Sequence, residues 1–74
     1  MSAFSEATVL WRLSRGQSHA HATLLATAGR ATIAWFIDDV MDRAENYDSL
    51  DLALARADDV RGTLERQGWT APAL

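Results

Sequence analysis

The stretch TVLWRLSRGQSHAHATLLATAGRATIAWFI, residues 8–37, decides the fold of this chain. It consists of three segments rich in β-branched and aromatic residues, separated by the dipeptides Gly16-Gln17 and Gly29-Arg30. Alternating apolar and polar residues predict strands, and a two-residue loop with Gly first suits a type II′ hairpin turn. The sequence therefore predicts an antiparallel meander. Its three strands are expected at about 8–15, 18–28 and 31–37.

Each predicted turn also fixes which side chains share a face, because residues directly opposite in an antiparallel pair point to the same side of the sheet. Both hairpins collect apolar residues on one face, with small Ala residues opposite large Trp and Ile residues. The first turn pairs Leu13 with Ala20, Trp11 with Ala22 and Val9 with Leu24; the second pairs Ala22 with Ile37, Leu24 with Trp35 and Ala26 with Ile33. The two turns thus agree on one apolar face.

Residues 40–47 are a candidate fourth strand, at the edge of the sheet, after a turn at Asp38-Asp39. Regular pairing puts Asp42 on the apolar side, which predicts a bulge, a short strand or a longer turn. A helical interpretation also fits this region, because six apolar residues follow a helical stripe: Ile33, Phe36, Ile37, Val40, Met41 and Ala44. This helical interpretation predicts an αα-hairpin, and it does not explain the two Gly-first dipeptides.

A helix is predicted at about 49–67. Asp48 or Ser49 can cap its N-terminus, and Gly68 followed by Trp69 is typical of a Schellman ending. Apolar residues at helical spacing form one stripe: Leu50, Ala53, Leu54, Ala57, Val60 and Leu64. We expect a single α+β domain over residues 1–74, a three- to four-stranded antiparallel meander packed on one C-terminal helix, βββ(β)α, with a tail at 70–74.

Length and composition limit the functional classes. A domain of 74 residues has a net stability of only about a few kcal/mol, and without cysteine no disulfide can add to it. Self-association is then the simplest second stabilising device. Residues 1–6 lack a basic region, and no apolar run is long enough to span a bilayer, so we expect a cytoplasmic protein without a membrane partner.

The formal net charge of −3 is concentrated in the second half, where residues 38–74 carry nine Asp or Glu and four Arg. Direct nucleic-acid binding relies on a basic surface, so this balance disfavours it. The same balance suggests an acidic inhibitor or decoy that mimics phosphates and binds a nucleic-acid-handling protein. The acidic surface of this alternative comprises Asp38, Asp39, Asp42, Asp58 and Asp59.

The first functional hypothesis concerns the sheet face that the helix does not cover. The predicted register gives this face an apolar centre, to which the fourth strand adds Met41 and Tyr47. Exposed apolar patches on small domains usually mark interfaces. We expect a non-enzymatic protein-interaction module that forms a homodimer, or binds another protein, through this face. The expected interface residues are Leu10, Arg12, Leu25 and Phe36.

Two sets of side chains on the same face could carry chemistry. The predicted register aligns Arg12, His21 and Asp38, and a His beside a carboxylate can act as a general base. The structural alternative is an exposed cross-strand charge row. His19 and His21 point the same way, as half of a metal site, but two ligands are too few. With no nucleophile in either set, we predict no catalytic residue, no metal and no cofactor.

Three motifs carry a resemblance over nearly the whole chain: Leu10-Trp11-Arg12-Leu13-Ser14-Arg15, Phe36-Ile37-Asp38-Asp39 and Gly68-Trp69. With them the chain resembles small, uncharacterised bacterial proteins that combine a β-meander with one Ala-rich helix ending in Gly-Trp. The resemblance implies this fold and a bacterial origin, but no activity. Asp39 stands where Gly would be usual, which predicts a departure from tight geometry at the third turn.

Overall fold

Four antiparallel strands and one helix form the computed structural model, which describes residues 7–72. The strands are β1 (Thr8–Arg15), β2 (Ser18–Thr27), β3 (Arg30–Ile37) and β4 (Val40–Tyr47), and the helix α1 is Leu50–Arg66. Sequence neighbours are sheet neighbours, in the order β1-β2-β3-β4. The predicted α+β meander is therefore confirmed, and the αα-hairpin interpretation is wrong. Residues 1–6, and the last two residues of the predicted tail, lie outside the described part.

The turn of the first hairpin agrees with the prediction, whereas the turn of the second does not. Gly16 has the positive φ of 62° that a type II′ turn needs at its first position, and the predicted register holds beside this turn. The second loop is Ala28-Gly29, with both residues at positive φ, and the prediction of Gly29-Arg30 is wrong. The β2–β3 register consequently slips by two residues, which pairs Ala22 with Trp35. A slip of two keeps every side chain on its predicted face.

The third turn is as tight as the second, and the prediction of a departure there is wrong. Asp38 and Asp39 both have positive φ, at 50° and 65°. The Asp38 amide donates to the His19 carbonyl oxygen (2.7 Å), and the His19 amide donates to Oδ1 of Asp38 (2.8 Å). The carboxylate thus replaces the backbone carbonyl that a continued strand would offer. Asp fits this position because it tolerates a left-handed conformation and supplies its own acceptor.

Two bulges change which residues face the helix. In β1 the pairing shifts between Val9 and Trp11, so the predicted pair of Val9 with Leu24 is wrong. Leu10 and Trp11 both pack against the core, and Val9 moves to the other face. In β4 the extra residue is Asp42, so of the three alternatives that the sequence left open the bulge is the one observed. Beyond it the faces reverse, so Tyr47 packs on the helix side and not, as predicted, on the open side.

The core lies between the sheet and α1. Ala22 is fully buried opposite both Trp11 and Trp35, whose ring centroids are 6.2 Å apart. The helix comes close to the sheet because it presents Ala53 and Ala57, and Nε1 of Trp11 donates to the Ala57 carbonyl oxygen (3.0 Å). The buried apolar residues are Leu13, Ala20, Ala22, Ala31, Ile33, Trp35, Ala53, Ala57 and Trp69.

Both helix ends follow the predicted chemistry. Oγ of Ser49 accepts from the Leu52 amide (3.2 Å), as an N-cap should. At the other end Gly68 has φ of 98°, and the Trp69 amide donates to the Leu64 carbonyl oxygen (3.1 Å), which is the Schellman pattern.

Beyond the helix, the chain returns to the sheet. Thr70 pairs with Ser14 through two backbone hydrogen bonds of 2.8 and 2.9 Å. The helix therefore covers one face of the sheet, and the chain that follows it lies beside β1. Part of the β1 edge is covered by this pairing, and the charges and bulge of β4 suit an edge protected against further strands.

Candidate interaction surface

The sheet face opposite α1, called the open face below, is built from three cross-strand rows and the residues beside them. Because cross-strand partners share a face, the register assigns its members directly. The rows are Arg12, His21, Phe36 and Met41; Val9, Thr23, Ala34 and Ala44; and Leu25, Thr32 and Asn46, with Ser14 and His19 below the first row. Neither the helix nor the described part of the tail covers the centre of this face.

His21 and Phe36, in the middle of the first row, form the centre of the open face, and Arg12 and Met41 flank them on the two edge strands. The His21 ring stacks on the Phe36 ring, with centroids 4.5 Å apart and planes within 6° of parallel. Met41, on the other side of Phe36, is 55% exposed. Arg12 is also exposed, and within residues 7–72 its guanidinium has neither a hydrogen bond nor an ion pair. The row thus combines a preformed aromatic stack with a flexible apolar side chain and an unpaired cation.

Apolar side chains continue from this centre toward the end of the face where the second turn joins β2 and β3. Val9 and Leu25 are both more than a third exposed. Val9 is at the β1 end of the second row, and the other side chains of that row, Thr23, Ala34 and Ala44, are small and separate Leu25 from Phe36. Small residues between larger apolar ones leave a shallow apolar surface that a second sheet can pack against.

Three of the four predicted interface residues lie on the open face: Arg12, Leu25 and Phe36. The fourth, Leu10, was placed there by the predicted register, and that placement is wrong because the β1 bulge turns Leu10 onto the core. Val9 takes its place and was missed. The available signal was the run of three large apolar residues at 9–11, which breaks the alternation that an unbulged strand requires.

A concavity of about 320 Å³ lies at one end of the open face. Its polar lining comes from β1, from β2 and from the third turn: Arg12, Ser14, His19, His21 and Asp39, with Pro72 of the tail beside them. Asp38 is not among these residues. The predicted row of Arg12, His21 and Asp38 is therefore wrong, because the slipped β2–β3 register puts Phe36 opposite His21 and Asp38 beside His19. Among the described residues, no three His, Asp or Glu side chains are grouped to hold a metal ion.

The five acidic residues of the alternative hypothesis lie in three separate places. Asp38 and Asp39 form the third turn, and Asp42 borders a cleft between β4 and the helix. Asp58 and Asp59 lie on the exposed side of α1, where they pair with Arg61 (3.0 Å) and Arg56 (3.2 Å). The helix carries two of these carboxylates and the sheet the other three, and the two on the helix are already paired with cations.

A polar cluster on the helix side ties β4 to the rest of the fold. Glu45 accepts hydrogen bonds from the Tyr47 hydroxyl and from Nε1 of Trp35 (3.3 Å). Its carboxylate also pairs with Arg43 (3.5 Å) and with Arg56 of the helix (3.9 Å). The Tyr47 hydrogen bond, helped by these Arg residues, lowers the pKa of Glu45, whereas burial and the same hydrogen bond raise the pKa of Tyr47.

We expect this cluster to give stability a dependence on pH at both extremes. A lowered Glu45 pKa contributes stability above the ordinary value of 4.5 that is lost as pH falls through the folded pKa. A raised Tyr47 pKa contributes stability below the ordinary value of 10.0 that is lost as pH rises through the folded pKa. Glu45→Gln should lower the free energy of unfolding by about 1 kcal/mol at neutral pH. Measured by urea denaturation between pH 3 and 7, this free energy should also fall less steeply with acidification than in the wild-type chain. Glu65→Gln, on the exposed side of α1, is the matched control, and equal acid limbs in the two variants would contradict the assignment.

The chain was also compared with known proteins. No protein-family model matches it, and neither the comparison with curated proteins nor that with solved structures found a match. The resemblance to small bacterial proteins therefore stays a prediction. Within residues 7–72, no helix has the length and apolar character needed to cross a membrane.

Proposed function

We propose that this chain is a non-enzymatic interaction module that forms a homodimer through the open face of its sheet. The observation that carries the proposal is the contrast between the two faces. One face is packed on α1, whereas the other exposes Val9, Leu25 and Met41 around the stacked His21 and Phe36 rings. A contiguous apolar surface on so small a domain is typical of an interface.

The size of the open face indicates how much of it must be buried in the interface. Four strands spaced about 4.8 Å apart, each about 26 Å long, give a face of about 500 Å² in projection. Stable interfaces of standard size bury about 800 Å² of accessible surface on each partner. Corrugated side chains can supply that area only if the whole face is used. The interface therefore includes the polar residues at the rim as well as the apolar centre.

A second copy fits this requirement because a two-fold axis makes one patch complementary to itself. Two sheets that pack face to face keep their strands within about 30° of parallel. An axis in the interface plane and parallel to the strands satisfies this, and it places β2 of one copy over β3 of the other. The His21–Phe36 stacks of the two copies then meet at the centre, with Arg12 at the rim.

Substitutions at two adjacent residues test the proposal. Met41 is on the open face and Val40, 68% exposed, is on the helix side of the same strand. In this arrangement Met41 of one copy lies over Arg12 of the other, so Met41→Arg brings two cations together in the interface and should weaken dimerisation by about 100-fold. Val40→Arg makes the same chemical change outside the interface and should leave dimerisation unaltered. Sedimentation equilibrium over a range of protein concentrations measures both, and equal affinities for the two variants would contradict the open-face assignment.

The acidic inhibitor or decoy has less support, because its carboxylates are dispersed and two are paired with Arg. It requires binding that weakens steeply with salt, unlike an apolar interface. A cytoplasmic location belongs to the main proposal, since with no cysteine in the chain neither the fold nor the interface depends on an oxidising compartment.

A further inference from the structure

Two opposite charges line the concavity of the open face without pairing with each other. Arg12 projects from β1 and Asp39 from the third turn, and both border the same space of about 320 Å³. Among the ion pairs of residues 7–72, none involves either side chain. An unpaired cation and an unpaired carboxylate on one self-associating surface offer charge complementarity to a second copy.

The two-fold arrangement proposed above brings these charges together. With the axis parallel to the strands, corresponding ends of the two sheets stay together while the strand order is reversed across the interface. β1 of one copy therefore lies over β4 of the other, and the end of β1 near Arg12 faces the turn that precedes β4. That turn is Asp38-Asp39. Asp38 is already bound to the His19 amide, which leaves Asp39 as the free carboxylate.

We propose that Arg12 of one copy binds the carboxylate of Asp39 of the second copy, and that symmetry repeats this pair at the other side of the interface. The inference rests on the proposed function and specifies its geometry. His19 and His21 border the same concavity and add ring N–H donors around the incoming carboxylate. The apolar centre supplies the affinity, and the two ion pairs at the rim fix the relative orientation of the copies.

Charge reversal tests the pair, because it predicts both a loss and a rescue. In Arg12→Asp, each rim contact becomes Asp against Asp, and in Asp39→Arg each becomes Arg against Arg. Each variant alone should dimerise at least about tenfold more weakly than the wild-type chain. An equimolar mixture of the two should form a heterodimer with wild-type affinity, since both of its rim contacts again join opposite charges. Arg61→Asp, an equal charge change on the exposed side of α1 and away from the open face, should have no effect on dimerisation.

A fluorescently labelled variant titrated with its unlabelled counterpart measures these affinities, and circular dichroism confirms that each monomer is folded. Because Asp39 has φ of 65°, Arg at this position adds backbone strain, so Asp39→Asn serves as a second, less strained variant and should weaken dimerisation several-fold. If Arg12→Asp and both Asp39 variants dimerise like the wild-type chain, the pair is wrong and the open-face dimer stands. If each single variant dimerises more weakly but the mixture does not regain wild-type affinity, the direct Arg12–Asp39 pair is also wrong. A wild-type chain that stays monomeric would remove the proposed function itself.

Discussion

Replacing Trp69 with alanine is expected to leave most of the domain unfolded. Trp69 lies outside the helix but is only 9% exposed, because the Schellman turn folds it back onto Leu13 and Ala20. The Arg15 guanidinium covers the outer side of its ring, 5.5 Å from the centroid. Truncating a buried Trp to Ala costs about 3–5 kcal/mol. A domain of this size has a total stability of about the same amount.

Thermal unfolding followed by far-ultraviolet circular dichroism measures the effect. Trp69→Phe keeps an aromatic ring in the same space and should retain a cooperative transition at a lower Tm. Leu52→Ala removes an equally apolar but exposed side chain of the helix and should leave the Tm nearly unchanged. If Trp69→Ala melts within about 2 °C of the wild-type chain, the tail does not contribute to the core as described.

The second large effect concerns association. Phe36→Asp is expected to abolish dimerisation, because Phe36 lies at the centre of the open face and stacks on His21. One carboxylate from each copy would then be desolvated near the two-fold axis with only the His21 rings as polar neighbours, at a cost of several kcal/mol. The side chain is half-buried in the monomer and contributes little to the helix-side core. The variant should therefore remain folded while it loses its partner.

Phe36→Leu provides the control, since it keeps an apolar side chain but loses the stack on His21 and should weaken association only modestly. Concentration-dependent mass and circular dichroism are measured on the same samples, so that loss of association is separated from loss of folding. A folded Phe36→Asp chain that dimerises as well as Phe36→Leu would show that the interface lies elsewhere.

Local chemistry made the helix and its ends predictable from sequence. Ser49 and Gly68 act within a few residues of their own positions, and the pattern of a cap, an apolar stripe and a C-terminal Gly requires no knowledge of the rest of the fold. The first turn was predictable for the same reason. Gly16 alone supplies the positive φ that the turn needs.

The position of the second turn could not be predicted from its local sequence. Gly29 could stand first or second in the loop, and the choice moves the β2–β3 register by two residues. In the observed register Ala22 lies opposite both Trp11 and Trp35, and the two indole rings meet beside it at 6.2 Å. This packing spans three strands and the helix. It offsets the strain of Ala28 at φ of 48°, which the turn sequence alone argues against.

The bulges limited the prediction of the candidate surface in the same way. The Asp42 bulge was predictable because an unbulged strand would bury a carboxylate. The bulge at Leu10 involves only apolar residues, and the choice between Val9 and Leu10 as the core residue depends on the space beside α1. Arg12, Leu25 and Phe36 therefore lie on the predicted face of the sheet, whereas Leu10, at the β1 edge, does not.

Light scattering on a size-exclusion column, at low and at high salt, tests the open-face dimer most directly. We expect a mass twice that of one chain in both conditions, because most of the interface is apolar and only the rim pairs are screened. A mass of one chain at high micromolar concentration in both conditions would contradict the account. The open face would then have to be assigned to a different partner.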